Sequence, residues 1–201
     1  MTFTHRGQFL HAAKNQTSCL VFAYGSLLWK RPFTASTQRA TLHGFHRRFC
    51  TRSVLYRGTP ERPGLVLGLA EGQRCDGLVL HIPGKDIETT MHHIWHREMA
   101  NQAYSAELHP VQLSSGHTAP AFCFIARPYL AAYHHLADEE AISSIIAKAH
   151  GSGGSNLEYA INTHHHLNTL AIVDTHIATV VKLSQRLSQE KNDAEHTYVD
   201  T

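Results

Sequence analysis

An α+β domain built on a mixed or barrel-like sheet is the fold class the sequence predicts, and three observations predict it. Apolar runs of strand length recur up to Ile82 and again from Leu108 to Ala126. Helical spacing of apolar residues appears at 86–104 and dominates from Asp138 onward. Strands and helices do not alternate regularly, as a parallel βαβ sheet would require.

In chain order, residues 1–17 are polar and unpatterned, an arm or short helix expected before the domain. Cys19–Tyr24 reads as an inner strand, and Thr41–Val54, with aromatics between arginines, as a strand with one basic face. Tyr56–Gly64 holds two prolines and two glycines, which predicts a turn-rich segment. Leu65–Ala70 and Cys75–Ile82, separated by Glu71-Gly72-Gln73-Arg74, predict a hairpin. Ile87, Met91, Ile94, Met99 and Ala103 predict a helix from Asp86 to about Tyr104. A second strand pair, Leu108–Leu113 and Ala119–Ala126, surrounds Ser114-Ser115-Gly116. Helices are expected at Asp138–His150, Asn156–Leu170 and Thr175–Gln189. This places a single domain at 18–189 and a polar tail, expected to be disordered, at 190–201.

The 201 residues suffice for one domain with a real core. A formal net charge of +2 gives no reason to expect a nucleic-acid or membrane partner. Four widely spaced cysteines form no C-x-x-C pair, which suits a reducing compartment better than a zinc knuckle or disulfide scaffold. The first residues carry no long apolar run, and no stretch is long enough to span a bilayer, so the expected location is the cytoplasm.

Four features bear on chemistry. V-F-A-Y-G-S-L-L-W, Val21 to Trp29, ends a strand on a glycine, which fits either a structural turn or a loop that lets a ligand approach the backbone. Ser26 lacks the second glycine of a nucleophile elbow. Glu98 lies on the helix side shared with Met91, Ile94 and Trp95, where a carboxylate is costly unless paired or used. A structural ion pair with Arg97 and a catalytic role are both open. His92 and His96 share a helical face but lack the H-E-x-x-H pattern, so a metal is not expected. Gly151 to Asn156, G-S-G-G-S-N, lacks the Lys-Ser/Thr of a phosphate loop and reads as a turn with Ser155 or Asn156 capping the next helix.

Taken together, Tyr24-Gly25-Ser26-Leu27 after a strand, the R-G-T-P-E-x-P-G turn, W-x-R-E-M, and the segment from Gly151 to Asp174 resemble the ChaC-like gamma-glutamylcyclotransferases. The resemblance runs from about Cys19 to Leu183, with the motifs in family order. It implies a compact gamma-glutamylcyclotransferase-like β-barrel with helices around it. It also implies cleavage of reduced glutathione into 5-oxoproline and cysteinylglycine, without metal or organic cofactor. Tyr24, Gly25, Ser26 and Leu27 would hold the γ-glutamyl unit, and Glu98 matches the catalytic glutamate.

Arg52 and Arg57 are candidates for the substrate's glycyl carboxylate, or else surface charge or an ion pair with Glu61. Tyr104 either reaches the site or packs at the helix end. One departure stands out. After Gly77 the chain reads L-V-L-H-I, where the family often has an aromatic-arginine pair, so Leu80 and His81 leave other γ-glutamyl peptides or amines open as substrates. A non-catalytic γ-glutamyl-binding module is the remaining alternative.

Overall fold

Six strands form a sheet in the order β1-β5-β3-β4-β2-β6, and β6 returns to pair with β5, so five of them close into a barrel with β1 as an outer addition. The strands are β1 (Thr2–Phe3), β2 (Ser18–Ala23), β3 (Ser36–Ser53), β4 (Gly64–Pro83), β5 (Ser105–Leu113) and β6 (Thr118–Ile125). Between them run helices α1 (Arg6–Lys14) and α2 (Ile87–Met99). Then follow α3 (Glu139–Lys148), the short strands β7 (His150–Gly151) and β8 (Gly154–Ser155), α4 (Asn156–Thr169) and α5 (Thr175–Thr197). This computed structural model describes residues 1–16, 18–99, 102–135 and 138–197. The sheet is mixed: β6 runs parallel to β2 and β4 and antiparallel to β5. Closure removes the exposed edges that an open sheet would present to other chains.

The chain divides into two compact units, residues 1–48 with 67–133, and residues 49–66 with 134–201. The first unit holds the barrel. Its core is aromatic: Phe9 lies 4.9 Å from Phe122 and 5.0 Å from Trp95, ring centroid to centroid. The amino-terminal residues are therefore part of this unit. Phe3 pairs with Ala106 through β1, and Phe9 and Ala13 are fully buried.

The second unit is helical. α3 and α5 pack closely at small residues, where Ser143 Oγ donates to the Val180 carbonyl and Ser184 Oγ to the Ser143 carbonyl. Ser155 caps α4 by accepting from the Glu158 N–H at 3.2 Å, in agreement with the turn-and-cap reading of G-S-G-G-S-N. The same segment clasps the proline-rich turn: Ser152 and Gly153 donate to the carbonyls of Leu55 and Tyr56, both at 2.9 Å. Asn156, fully buried, donates to the Leu65 carbonyl and accepts from its N–H, both at 2.7 Å. Gly64 permits this approach, because a Cβ there would lie 2.0 Å from the Arg57 carbonyl oxygen. Two motifs that look like binding loops thus hold each other.

Three expectations need correction. No hairpin turns at Glu71–Arg74; β4 runs straight through as a 20-residue strand whose middle is exposed. Gly72 does not turn the chain there but admits the His46 side chain, whose Nδ1 would lie 2.0 Å from a Cβ at that position. α2 ends at Met99 rather than near Tyr104, and residues 100 and 101 lie outside the described ones; Gln102 then takes a left-handed φ of 51°. α5 runs to Thr197 rather than ending near Gln189, with Arg186 and Glu190 paired one turn apart at 3.1 Å. Residues 198–201 lie outside the described residues. No described helix is long and apolar enough to cross a membrane.

Candidate active site

β2 is held between β4 and β6, with Val21 opposite both Leu80 and Phe122. It ends at Ala23, and the next residues fold into a short 3-10 turn over Ser26–Leu28. The turn closes through Leu28 N–H to the Gly25 carbonyl at 2.8 Å and Lys30 N–H to the Ser26 carbonyl at 2.8 Å. Its start is fixed from two sides. The Tyr24 hydroxyl donates to the Phe124 carbonyl at 2.9 Å, and the Tyr24 carbonyl accepts from Arg47 Nε. Arg47 is 3% exposed and also donates to the Asp76 carbonyl at 2.6 Å. Tyr24 and Leu27 are buried, so what the loop can offer a ligand is its backbone and Ser26.

α2 supplies the carboxylate. Its inner face is Ile87, Met91 and Ile94, and Glu98, one turn beyond Ile94, follows the same side. Glu98 keeps 14% of its side-chain surface accessible. Arg97 Nε meets Glu98 Oε1 at 3.0 Å, while the same guanidinium donates to Ser26 Oγ and to the Lys30 carbonyl, both at 2.5 Å. One arginine therefore ties the carboxylate to the loop. Burial pushes the Glu98 carboxyl above its ordinary range, and the charge and hydrogen bond of Arg97 only partly oppose it. A carboxylate so placed holds a proton more readily than an exposed one. Of the two alternatives left open for Glu98, the ion pair with Arg97 is present, and burial leaves the group perturbed.

The other candidates fall in different places. Tyr104, in the same unit, is 9% exposed and donates to the Leu67 carbonyl at 2.7 Å, so its hydroxyl is engaged in the barrel wall. Leu80 is fully buried and His81 exposed on the opposite side of β4. Arg57 and Arg52 belong to the second unit. Arg57 Nη1 donates to the Ser155 carbonyl at 2.9 Å and pairs with Glu158, not Glu61, at 3.3 Å, while its guanidinium lies over the Tyr159 ring. Arg52 lines a cavity with Arg62, His134 and Lys148. The rings of His92 and His96 stand 4.6 Å apart, and Arg6 Nη1 lies 3.4 Å and 3.3 Å from their Nε2 atoms, so a guanidinium occupies the place of a cation between them. Among the described residues no three His, Cys, Asp or Glu side chains converge as a metal site.

Sequence reasoning passed over two arginines of this unit. Arg47 was visible in principle: with period two it shares a face with Phe45 and Phe49, an arginine on an apolar face. Arg31 was not. Its Nη1 is buried without a hydrogen-bond partner among the described residues.

The sequence profile of the ChaC-like protein family matches residues 19–187. A glutathione-specific gamma-glutamylcyclotransferase of Escherichia coli (strain K12) is 35% identical over 156 residues, which are 77% of this chain and 67% of that protein. Glutathione-specific gamma-glutamylcyclotransferase 1 of Homo sapiens is 27% identical over 186 residues, 89% of this chain and 83% of that one. The crystal structure of a yeast gamma-glutamyl cyclotransferase specific to glutathione superposes with a TM-score of 0.78 at 21% identity. That superposition covers 85% of this chain and 97% of the yeast chain, and bears out the barrel fold. With its family profile matched over most of its length, this chain belongs to the ChaC-like protein family.

Proposed function

We propose that the protein is a gamma-glutamylcyclotransferase that cleaves reduced glutathione into 5-oxoproline and cysteinylglycine, with Glu98 as the proton carrier. The observation that carries this reading is the desolvated Glu98 carboxylate, tethered through Arg97 to the Tyr24–Leu27 loop. Relatives named for the same activity support the choice of substrate.

The chemistry follows from the groups present. The α-amine of the γ-glutamyl unit attacks its own γ-carbonyl, the new C–N bond closes a five-membered ring, and the old amide C–N bond breaks. At neutral pH that amine is an ammonium, so Glu98 takes one proton to free it for attack; the ring nitrogen sheds a second as the lactam forms, and both go to the departing nitrogen, which leaves as an ammonium. Atoms balance without water, oxidant or cofactor. Ring closure is intramolecular, and holding the chain folded can lower the barrier by up to about 7–11 kcal/mol. Backbone N–H groups of the loop would face the oxyanion that forms at the γ-carbonyl. Arg31, with a buried guanidinium nitrogen lacking an acceptor, is suited to a substrate carboxylate. The four cysteines are buried thiols that form no disulfide with one another, consistent with action in the reducing cytoplasm.

The departure at Leu80 and His81 places a core residue and a solvent-facing one where the family often has an aromatic-arginine pair, which favours glutathione and other γ-glutamyl peptides as a joint test panel. Mass spectrometry of wild type and Glu98→Gln with reduced glutathione tests the reading. Release of 5-oxoproline and cysteinylglycine by wild type alone supports it. Equal turnover by the variant removes Glu98 from the mechanism, and no product from any γ-glutamyl compound leaves a binding module.

A further inference from the structure

The second unit contains a cavity of about 700 Å³ that takes no residue from the Tyr24–Leu27 loop or from Arg97 and Glu98. Its size falls in the range of small-molecule sites. Three permanent cations line it, Arg52 at the end of β3, Arg62 in the proline-rich turn and Lys148 in the last turn of α3. Leu65 and Ile145 give it an apolar wall.

The one carboxylate lining this cavity, Glu61, offsets one of its three positive charges and forms no ion pair with them among the described residues. Its own backbone N–H and the Thr59 hydroxyl hydrogen-bond to it and hold its carboxyl below the usual range. The turn that carries it is fixed by Thr59 N–H to the Arg62 carbonyl at 3.0 Å and Arg62 N–H to Thr59 Oγ1 at 3.1 Å. No carboxylate among the described residues pairs with Arg52, Arg62 or Lys148, and Lys148 Nζ meets only Ser144 Oγ, at 3.3 Å. Elsewhere in the same unit pairing is common: Arg57 with Glu158, His176 with Glu139, Arg186 with Glu190. The excess of positive charge is also felt by His134 in the cavity wall. Burial in the first place, and then the charges of Arg52 and His135, keep its imidazolium less stable than usual.

We propose that this cavity is a second ligand site, distinct from the proposed active site, which binds a small phosphorylated molecule carrying two or more negative charges. Two guanidinium forks suit the paired oxygens of phosphate groups, an ammonium and the Ser144 hydroxyl add point contacts, and the apolar wall accepts an uncharged portion. A single carboxylate would satisfy only one of the three cations.

Isothermal titration of the Glu98→Gln chain, at fixed ionic strength, with pyrophosphate and separately with ADP tests the assignment without interference from turnover. The expected result is one ligand bound per chain for at least one of the two, weakened at least tenfold by Arg62→Gln with Lys148→Gln. Both of those side chains are exposed, so the thermal melt of the double variant should match its parent. Should it not, Arg62→Gln alone is titrated, with at least a threefold loss expected. Absence of binding by both probes, or binding unchanged by the substitutions, overturns the proposal. So does displacement of the bound probe by reduced glutathione, which would assign the cavity to the substrate's carboxylates. A chain without cyclotransferase activity would leave the binding result standing.

Discussion

Glu98 and Glu107 both sit in the barrel unit, both are largely buried, and both meet an arginine, yet their acidities move in opposite directions. Burial would raise Glu107 as it does Glu98. Hydrogen bonds from His109, Arg127 and Ser105, together with the Arg127 charge, more than reverse that and bring its pKa to about 2. Arg127 gives Glu107 two nitrogens, Nε at 2.8 Å and Nη2 at 2.7 Å, and His109 Nε2 approaches at 2.8 Å. Arg97 gives Glu98 one contact and commits its other nitrogens to Ser26 and Lys30. An arginine alone does not make a carboxylate a structural anion. The number of donors it devotes to that carboxylate decides whether the group is locked in its charged form or left ready to take a proton.

The largest effect expected from breaking this contrast is catalytic. Glu98→Gln should lower turnover by about 10²–10⁴-fold. Its melting temperature should not fall, since the substitution removes a carboxylate that burial disfavours. A loss of stability equal to the loss of activity would make Glu98 a structural group like Glu107.

Glu107→Gln should do the reverse: little change in mechanism but about 3 kcal/mol less stability at pH 7, the equivalent of lowering a carboxylate from 4.5 to about 2. The sign follows from the depressed pKa. Glu107 stabilises the fold fully above its unfolded value, and that contribution fades as pH falls from 4.5 toward 2. Urea unfolding at pH 7 and pH 3 checks it: wild type should lose stability between them, and the variant should lose less. A parallel pH response in both proteins would break the comparison.

Arg97→Gln sharpens the same contrast from the cation side. Without the guanidinium charge, nothing opposes the effect of burial, and the Glu98 pKa rises further. The base form is then lost at higher pH, so the acid limb of the kcat profile should move upward. Turnover at pH 7 should fall by about tenfold and recover in part at pH 9, and Arg97→Lys should restore some of the profile. A uniform loss at every pH would mean that Arg97 only anchors the Ser26 loop.

How far the sequence revealed this arrangement depends on the range of each contact. The barrel class was readable because strand-length apolar runs and their order are local patterns, and Glu98 was readable because a helix face is local too. The false hairpin at Glu71–Arg74 came from three polar residues and a glycine in the exposed middle of β4, which locally look like a turn. Phe3 and Phe9 are nearly the only large apolar residues in a polar stretch, and their burial rests on Phe122 and Trp95, far away in the chain. The Arg97 bond to Ser26 joins residues 71 apart in sequence, beyond any periodicity. Gly151–Asn156 was correctly read as a turn and cap, but its clasp on Leu55 and Tyr56 was hidden for the same reason.

Tyr104 offers the smallest expected effect and separates wall from site. Its hydroxyl donates to the Leu67 carbonyl at 2.7 Å in a nearly closed environment, so Tyr104→Phe should remove one buried hydrogen bond and cost about 1 kcal/mol. KM for reduced glutathione and kcat should both stay within about twofold of wild type, because a hydroxyl committed to the barrel wall adds no energy at the transition state. A fall in kcat with unchanged stability would mean that the Leu67 bond exchanges for a substrate bond during turnover. Tyr104 would then join Glu98 among the groups proposed to act on the substrate.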